Sequence, residues 1–495
     1  MALNINLFVL AQFYDTLLGE YIQAPWTRGL SLDKLSLRDF NYEMISYDEI
    51  LQKKKLRFDE VDLLAAADYS CEDVYMTNKL YEKQVKNKTT QIWLLHDIEI
   101  PLLSVLKDME ITWVKIDRNK LKWIWLLLAQ ELENLQKSIF DEVWEEFNIN
   151  SPKQVGVILF EKLALPKGKK TKTGYSVSAE VLWELSHQFP IAQKIVDFRH
   201  YSKLQSTYIE WLLEIADEND FIHTSYNAAV TTTGRLSSTS PNLQNIPSSA
   251  WIAGEIRDWF VSRFEWWKIM ASDYSQVEVR LLAIMSGDEN LLEAFKQNKD
   301  IHRTTAEFLF PNQTLTSDHR KIAKAVNFWV IYWISTFGLS KMIGINMKDA
   351  KIYIDTFYNS YPKVKEFFDE QISFCEQNWY VQTLYGRRRY MPGINDKNAI
   401  IKNAARREAM NMPIQWTSAD IIKLSMVKIH KYLSDEKIKS QLIMQVHDEL
   451  VFDVYPWEEK VLWEKVTQIM ENILTDTPIV LKTDTVFWDT WKEAK

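Results

Sequence analysis

The sequence predicts an α+β fold with two to four domains. A chain of 495 residues is too long for one compact core. Apolar residues recur at helical spacing through residues 96–111 and 121–147, and further helices are predicted up to residue 217. Beyond them, strands and helices alternate. WKIMASDYSQ starts as an apolar strand, and QLIMQVHDELVFDVYP reads as a strand, a tight polar turn and a second strand.

Charge gives an ambiguous signal. The net charge of -8 argues against a purely electrostatic nucleic-acid binder. Local basic runs nevertheless occur at residues 167–172 (KGKKTK), 319–324 (HRKIAK) and 386–390 (GRRRY). Such runs more often form solvated faces than binding sites. The first of them lies in a polar segment, residues 166–176, that predicts a loop.

Nothing in the sequence indicates a membrane protein. The most apolar run, residues 123–129, is far too short to span a bilayer, and the N-terminus has no leader pattern. Cys71 and Cys375 lie outside any CxxC motif and cannot form a disulfide framework. A cytosolic protein is therefore expected.

Carboxylates occur at two positions where strands end. Asp273 ends an apolar strand, and Asp448 with Glu449 lies at the tip of a predicted hairpin. Two such points brought together could bind two divalent cations roughly 3.5–4 Å apart, an arrangement suited to phosphoryl transfer. Oxygen ligands without a His or Cys cluster favour magnesium over zinc. The simpler alternative is that these are solvated acids at a turn.

A helix predicted from residue 318 has two cations and two aromatic rings at four-residue spacing. Arg320, Lys324, Phe328 and Tyr332 lie along one face, since each step turns about 400°. Such a stripe can hold a triphosphate and stack on a base. An amphipathic helix with a basic end would show the same pattern.

Four motifs occur together in a fixed order. They are TTTGRLSSTSPNLQNIP (231–247), SDYSQVEVR (272–280), RKIAKAVNFWVIYW (320–333) and QVHDELVF (445–452). In this order they resemble the family A DNA polymerases, of the bacterial DNA polymerase I large-fragment type, and the resemblance extends over about residues 92–495.

The resemblance implies a right-hand polymerase fold with palm, fingers and thumb. The thumb would cover about residues 110–220 and the fingers about 301–404. The palm would combine about 221–300 with about 405–495. The implied reaction is DNA-templated addition of deoxynucleotides to a primer 3′ end, in replication and repair, with two Mg²⁺ ions. The implied partners are primer-template DNA and deoxynucleoside triphosphates, and a monomer is expected in the bacterial cytosol, associated with the nucleoid.

The same resemblance assigns roles to the carboxylates. Asp273 and Asp448 would bind the metal ions, with the Tyr274 carbonyl as a further ligand and Glu449 beside them. Glu278 would lie under the incoming sugar and exclude a 2′-hydroxyl.

Roles in nucleotide and DNA binding follow in the same way. Arg320 and Lys324 would hold the phosphates, Phe328 would pack on the sugar and base, and Tyr332 would close the template side. His302 matches a nucleotide-contacting position. The implied primer and template contacts, largely in the minor groove, are Arg235, Gln244, Asn245, Arg407, Asn411, Gln415 and His447. The basic segment 167–172 would grip the phosphate backbone.

Residues 1–91 resemble the C-terminal part of a 3′→5′ exonuclease domain. Tyr69 and Asp73 match its third motif, whereas its first two motifs have no match. The triplet Asp97-Ile98-Glu99 lies downstream, at the junction with the polymerase region, and is not interpreted as an exonuclease motif. An inactive exonuclease remnant without proofreading is expected, and no 5′-nuclease region is recognised.

Tryptophan is abundant and glycine scarce, with 20 Trp and 12 Gly in the chain. Relative to the family, tryptophan stands at glycine positions at Trp113, Trp144, Trp329, Trp333, Trp379, Trp416 and Trp488, with Trp266 and Trp457 as further candidates. Trp491 matches a family tryptophan. UGA codons decoded as glycine in the source organism but translated here as tryptophan would produce this pattern. Genuine tryptophans packed in the core are the alternative, and they would favour a catalytically inactive DNA-binding protein over an enzyme.

Overall fold

The computed structural model describes residues 13–24, 29–53, 55–86, 91–166, 170–171, 174–246, 253–331 and 335–493. In chain order the helices are α1 (Thr16–Gln23), α2 (Leu32–Phe40), α3 (Tyr47–Ile50), α4 (Leu63–Lys86), α5 (Ile92–Leu94), α6 (Ile100–Thr112), α7 (Arg118–Val143), α8 (Pro152–Val157), α9 (Ala179–Ser186), α10 (Pro190–Lys203), α11 (Trp211–Ile215), α12 (Val277–Ser286), α13 (Glu289–Lys296), α14 (Ile301–Leu309), α15 (Ser317–Ile331), α16 (Thr336–Ile343), α17 (Met347–Ser360), α18 (Pro362–Asn378), α19 (Ala399–Asp435) and α20 (Glu459–Glu471).

The strands are β1 (Val114–Ile116), β2 (Lys170–Thr171), β3 (Gly174–Tyr175), β4 (Phe221–Ile222), β5 (Ser225–Asn227), β6 (Ser237–Thr239), β7 (Phe260–Val261), β8 (Lys268–Tyr274), β9 (Tyr380–Gln382), β10 (Arg388–Tyr390), β11 (Gln441–Val446), β12 (Glu449–Val454) and β13 (Thr483–Trp488). Short π-helical segments at Leu95–Glu99 and Leu204–Glu210 make α5 continuous with α6 and α10 continuous with α11.

The chain divides into two compact units. The first comprises Met1–Glu110, Tyr226–Thr239 and Ser272–Thr485, and the second comprises Ile111–Ser225, Ser240–Ala271 and Val486–Lys495. In the described residues, no helix is both long enough and apolar enough to cross a membrane.

The main sheet of the first unit has the strand order β11-β12-β8-β13. Strand β12 is buried along its whole length, and β8 is buried at every position after its first except Asp273. Because both faces of these strands are covered, their sequences are almost continuously apolar. The sheet is therefore a rigid base for the residues at its strand ends.

The predicted hairpin is present. Strands β11 and β12 pair antiparallel, with Val446 opposite Glu449, so His447 and Asp448 form a two-residue turn. His447 takes a left-handed conformation with φ 56°, as such tight turns require. Glu449 does not lie at the tip as predicted; it is the first residue of β12 and is buried.

The helix α19, 37 residues long, runs through the first unit. Its N-terminus is capped by the Asn398 side chain, which accepts from the backbone N–H of Ile400. Most positions from Met412 to Met426 are buried. Its neighbours include β9 and α18.

The second unit has its own sheet and core. Strand β1 pairs antiparallel with β4 on one side and β7 on the other. Helix α10 packs on α7 and α9. The buried residues between them are Ile139, Val143, Ile149, Val155, Ile158, Leu159, Phe160, Leu165, Val177, Leu182, Leu185, Ile191, Ala192, Ile195 and Phe198.

Two expectations about basic segments need correction. The predicted loop at residues 166–176 contains the short antiparallel pair β2 and β3, and residues 167–169 and 172–173 lie outside the described part. The run at 386–390 is not a solvated face. Arg387 is 1% exposed and is paired with buried carboxylates.

Candidate active site

Strand β8 and the hairpin tip bring the predicted metal-binding carboxylates to one place. The backbone N–H of Tyr274 donates to the Asp448 carbonyl at 3.2 Å. The Tyr274 hydroxyl is buried; it donates to the Met470 carbonyl at 2.8 Å and bonds the Ser425 hydroxyl at 2.9 Å. Burial raises the pKa of Tyr274 well above its ordinary value. These bonds hold Asp273 and Asp448 at the ends of neighbouring strands.

Asp448 has a further contact that the sequence did not indicate. The Ser418 hydroxyl, buried on α19, donates to Asp448 Oδ1 at 3.3 Å. A donor at this oxygen restricts the rotation of the carboxylate.

Helix α12 begins at the end of β8. Gln276 precedes it in a left-handed conformation, and Glu278 lies in its first turn, largely buried. Arg235 Nη2 lies 3.0 Å from Glu278 Oε1. A half-buried ion pair of this kind fixes the position of the Glu278 carboxylate.

A cavity of about 360 Å³ opens beside these groups. It is lined by Arg235, Tyr274, Gln276, Val277, Glu278, Val279, His302, Lys324, Phe328, His447 and Asp448. Eight of these residues were predicted from the sequence as metal, nucleotide or DNA contacts. The cavity joins a carboxylate, a cation and an exposed aromatic ring, a combination suited to an anionic ligand with a planar group.

Helix α15 supplies the cation and the ring. Lys324 and Phe328 lie one turn apart and both reach the cavity. Arg320, one turn earlier, is not in the lining. Its Nε pairs with Asp300 Oδ2 at 2.6 Å. Tyr332 lies outside the described residues, as do Trp333 and the side chain of Trp329.

His302 enters the cavity from the first turn of α14. Asp300 caps this helix, accepting from the backbone N–H groups of His302 and Arg303 at 3.0 and 3.3 Å. Burial lowers the pKa of His302 to about 4, against the opposing effect of Asp300. The imidazole is therefore neutral at pH 7.

Predicted DNA contacts lie in both units. In the first, Arg407, Asn411 and Gln415 follow one another at four-residue spacing on α19, with Arg407 exposed and the other two half-buried. In the second, Gln244 and Asn245 form a short 3-10 turn capped by Asn242. The Tyr208 hydroxyl donates to the Asn245 carbonyl at 3.2 Å.

The N-terminal residues show a different environment. Tyr69 and Asp73 lie one turn apart on α4, and burial together with the Asp73 charge raises the pKa of Tyr69. Glu99, the last residue of the Asp97-Ile98-Glu99 triplet, is fully buried. It binds Arg387 at 2.7 Å and Lys423 at 2.8 Å. Glu99 is therefore part of a buried ion-pair cluster with Arg387 and Lys423.

Sequence reasoning missed several residues of the site. Gln276 and Val277 lie inside the motif SDYSQVEVR, so their proximity to Asp273 could have indicated them. Ser418 and Asn327 act through contacts between different elements, and local sequence offers no signal for them. A more open groove of about 620 Å³ between α7 and α10 in the second unit contains none of the predicted residues.

Asp273 and Asp448 lie at neighbouring strand ends, and Asp448 lines the cavity together with Lys324 and Phe328 of α15. Residues 118–493 match DNA polymerase family A. The chain belongs to this family, as predicted.

Relatives and solved structures agree with this assignment. The chain is 42% identical over 492 residues to DNA polymerase I of Bacillus subtilis (strain 168), covering 97% of this chain and 55% of that protein. It is 39% identical over 494 residues to DNA polymerase I of Geobacillus stearothermophilus, with the same coverage of 97% and 55%. The chain thus spans about half the length of the curated relatives it matches.

A solved structure, the POL domain of Pol1 from M. smegmatis in complex with DNA primer-template and dNTP, superposes with a TM-score of 0.87 at 30% identity. The match covers 97% of this chain and 82% of that chain. The predicted polymerase fold is confirmed.

Proposed function

We propose that the chain is a DNA-templated DNA polymerase that adds deoxynucleotides to a primer 3′ end. The cavity that unites Asp448, Lys324 and Phe328 is the observation on which this proposal rests most directly. The relatives named DNA polymerase I support it, as does the structural neighbour solved with primer-template and dNTP. Primer-template DNA and deoxynucleoside triphosphates are then the substrates.

The residues present fit two Mg²⁺ ions. Asp273 and Asp448 offer hard oxygen ligands at neighbouring strand ends, and the backbone of Tyr274, which follows Asp273, is hydrogen-bonded to the backbone of Asp448. Within the described residues, no group of three or more His, Cys, Asp or Glu side chains could hold a metal. Two carboxylates completed by substrate phosphates and water are the usual magnesium set. Bound magnesium would lower the pKa of the primer 3′-hydroxyl and neutralise charge on the phosphates.

The protein's own groups would position the nucleotide. Lys324 would bind the triphosphate and Phe328 would pack on the sugar and base. Glu278, held by Arg235, would occupy the space of a 2′-hydroxyl and thus select deoxynucleotides. Arg320 would add a second cation at the phosphates, anchored through its Nε by Asp300. Because ion pairs hold Glu278 and Arg320 before the nucleotide arrives, these two groups need little reorganisation during the reaction.

Duplex binding would use the α19 stripe of Arg407, Asn411 and Gln415 together with His447 at the hairpin turn. Gln244 and Asn245, in the second unit, stay predictions as DNA contacts. These groups suit the minor groove, which reports duplex shape more than sequence. The proposed thumb at about 110–220 would add phosphate contacts through residues 167–172, most of which lie outside the described part.

We further propose that residues 1–91 are an inactive remnant of an exonuclease domain. Helix α4 leaves Leu63, Leu64 and Val74 between 71% and 81% exposed. Tyr69 and Asp73 are its only recognised motif residues. Incubation with a mismatched primer in Mg²⁺ tests this point, since release of the 3′ nucleotide would refute it.

The tryptophans at family glycine positions are, we infer, glycines in the source organism. Five of them have left-handed backbone conformations: Trp113, Trp144, Trp266, Trp379 and Trp457, with φ between 56° and 77°. Bulky residues rarely adopt this conformation, whereas glycine adopts it freely. Trp144 and Trp379 end α7 and α18 at the position where glycine is most common. Trp144 and Trp457 are each 90% exposed, so core packing does not explain them.

Two buried tryptophans differ in a way that supports the same inference. Trp491 packs edge-to-face on Phe260, and the Arg257 Cζ lies 4.0 Å from the centroid of its ring. These aromatic and cation–π contacts are the ones expected of a tryptophan that the fold requires. Trp416 is buried, and its Nε1 has no hydrogen-bond partner among the described residues. Mass spectrometry of the native protein distinguishes the readings, because a tryptic peptide containing Trp at position 144 or 379 would exclude recoding.

Primer extension tests the proposed activity. The chain with glycine at these positions should extend a DNA primer in Mg²⁺, and Asp448→Asn should lower the rate about 10²- to 10³-fold. Asp435→Asn is the matched control, since Asp435 is an exposed acid paired with Lys431 four residues earlier. A glycine version that binds primer-template but extends nothing would refute the proposal. The alternative, an inactive DNA-binding protein, depends on the tryptophans being genuine, whereas the presence of Asp273, Asp448 and Lys324 favours an enzyme.

A further inference from the structure

A buried asparagine contacts the histidine of the nucleotide cavity. Asn327 lies on α15 between Lys324 and Phe328 and is 2% exposed. Its Nδ2 lies 3.0 Å from His302 Nδ1 and 3.4 Å from the Ile301 carbonyl oxygen. The packing of α14 on α15 brings these groups together.

The contact between Asn327 and the Ile301 carbonyl sets the direction of the hydrogen bond between Asn327 and His302. A carbonyl oxygen only accepts, so the amide nitrogen of Asn327, and not its oxygen, faces Ile301. The same nitrogen must then donate to His302 Nδ1. The Asn327 oxygen points elsewhere and has no partner among the described residues. His302 Nδ1 therefore acts as an acceptor and has no proton.

The remaining ring nitrogen faces the cavity. His302 Nε2 lies 3.5 Å from the Gln276 side-chain nitrogen, and both residues line the cavity with Lys324. Since His302 is neutral at pH 7, it has one ring proton. With Nδ1 occupied as an acceptor, that proton is on Nε2. The Gln276 nitrogen is itself a donor, so at 3.5 Å it makes no hydrogen bond to Nε2–H, and a 180° turn of the Gln276 amide would bring its oxygen into place as the acceptor.

We propose that Asn327 is a positioning residue that holds His302 in the Nε2–H tautomer, so that the ring presents a hydrogen-bond donor to the phosphate oxygens of the incoming nucleotide. This inference rests on the proposed function, which places a nucleotide in the cavity. The opposite tautomer would present a lone pair to an anionic oxygen and repel it. Asn327 thus acts on the nucleotide through His302 alone.

Nitrogen NMR tests the tautomer directly. In protein with ¹⁵N-labelled histidine, two-bond ¹H–¹⁵N correlations distinguish a protonated ring nitrogen from an unprotonated one. The chain has 8 histidines, and loss of signals in His302→Gln identifies the relevant ring. We expect an unprotonated Nδ1 and a protonated Nε2 at pH 7 without nucleotide. Asn327→Asp, which offers only acceptors, should place a proton on Nδ1. A protonated Nδ1 in the unaltered chain would overturn the inference.

Nucleotide kinetics separate positioning from a general structural role. Asn327→Leu keeps the volume and removes the donor; it should raise the KM for the nucleotide about 3- to 10-fold with a smaller effect on kcat. In a His302→Ala background the same substitution should have no further effect on KM. A loss that persists without His302 would refute the inference. His319→Gln is the matched histidine control, since His319 stacks on Phe310 and does not line the cavity.

The two proposals fail in different ways. A chain that extends primers with His302 in the Nδ1–H tautomer would refute the role of Asn327 alone. A chain with the Nε2–H tautomer that neither extends primers nor shifts the His302 signals when dATP is added would refute the proposed function. It would also refute the nucleotide-directed part of this inference.

Discussion

Replacing Arg387 by methionine should destabilise the first unit strongly. Arg387 is 1% exposed, and its Nε and Nη2 lie 2.7 Å from Asp420 and from Glu99. Lys423, also buried, binds Glu99 at 2.8 Å. The four side chains balance in charge and are each at most 1% exposed, so Arg387→Met leaves one negative charge in excess in a buried site. Asp420 would keep a hydrogen bond from Thr383 at 3.0 Å but lose its ion-pair partner.

Removal of one partner from a buried ion pair lowers the free energy of unfolding by about 3–5 kcal/mol. Calorimetry of the unfolding transition of the first unit measures the effect. Arg57→Met provides the surface comparison, because the Arg57 side chain is 78% exposed and pairs with Asp59, which is 63% exposed. Its loss should be below about 1 kcal/mol. If Arg387→Met destabilises no more than Arg57→Met, the cluster does not stabilise the fold in the way its burial indicates.

Three further predictions concern the site and the tryptophans. Folding lowers the pKa of His302 to about 4, so below about pH 6.5 His302 is protonated more in the unfolded chain than in the folded one. The contribution of His302 to the free energy of unfolding should therefore fall by about 3 kcal/mol as the pH drops from 6.5 toward 4. Denaturant titrations across this range should show a flatter profile for His302→Gln. Glu278→Ala should increase ribonucleotide incorporation relative to deoxynucleotide, measured by competing the two, and unchanged selectivity would contradict the role of Glu278. Trp379→Gly should raise the free energy of unfolding by about 1 kcal/mol, because glycine relieves the left-handed conformation at this position. Trp491→Gly should lower the free energy of unfolding, because buried packing is lost. Thermal melts in which the two variants show the opposite order would contradict recoding.

Features set by local sequence were predictable. The hairpin of β11 and β12 follows from two apolar runs around a polar pair, and α15 follows from helical spacing. The cavity lining was reached largely through the resemblance, which placed distant motifs together. From residue spacing alone, Asp448 could equally be a solvated acid at a turn, and Lys324 could equally belong to an amphipathic helix with a basic end.

Features set by tertiary contacts were not predictable. The run at 386–390 looks like a solvated basic patch, yet Arg387 is buried and paired with Glu99. Because Glu99 lies 288 positions away in the chain, local sequence could not indicate this pairing. Asn327 resembles any polar residue of an amphipathic helix until α14 packs beside it. The left-handed tryptophans became visible only when backbone angles were available. The proposed thumb, palm and fingers boundaries stay predictions.

Template-directed incorporation of a single nucleotide tests the central claim most directly. A primer-template with one of the four bases at the templating position should be extended in Mg²⁺ only by the complementary deoxynucleotide, and all four templates should follow this rule. The protein used should have glycine at the recoded positions. Incorporation that ignores the template base, or binding of primer-template without any incorporation, would contradict the assignment of this cavity as a DNA polymerase active site.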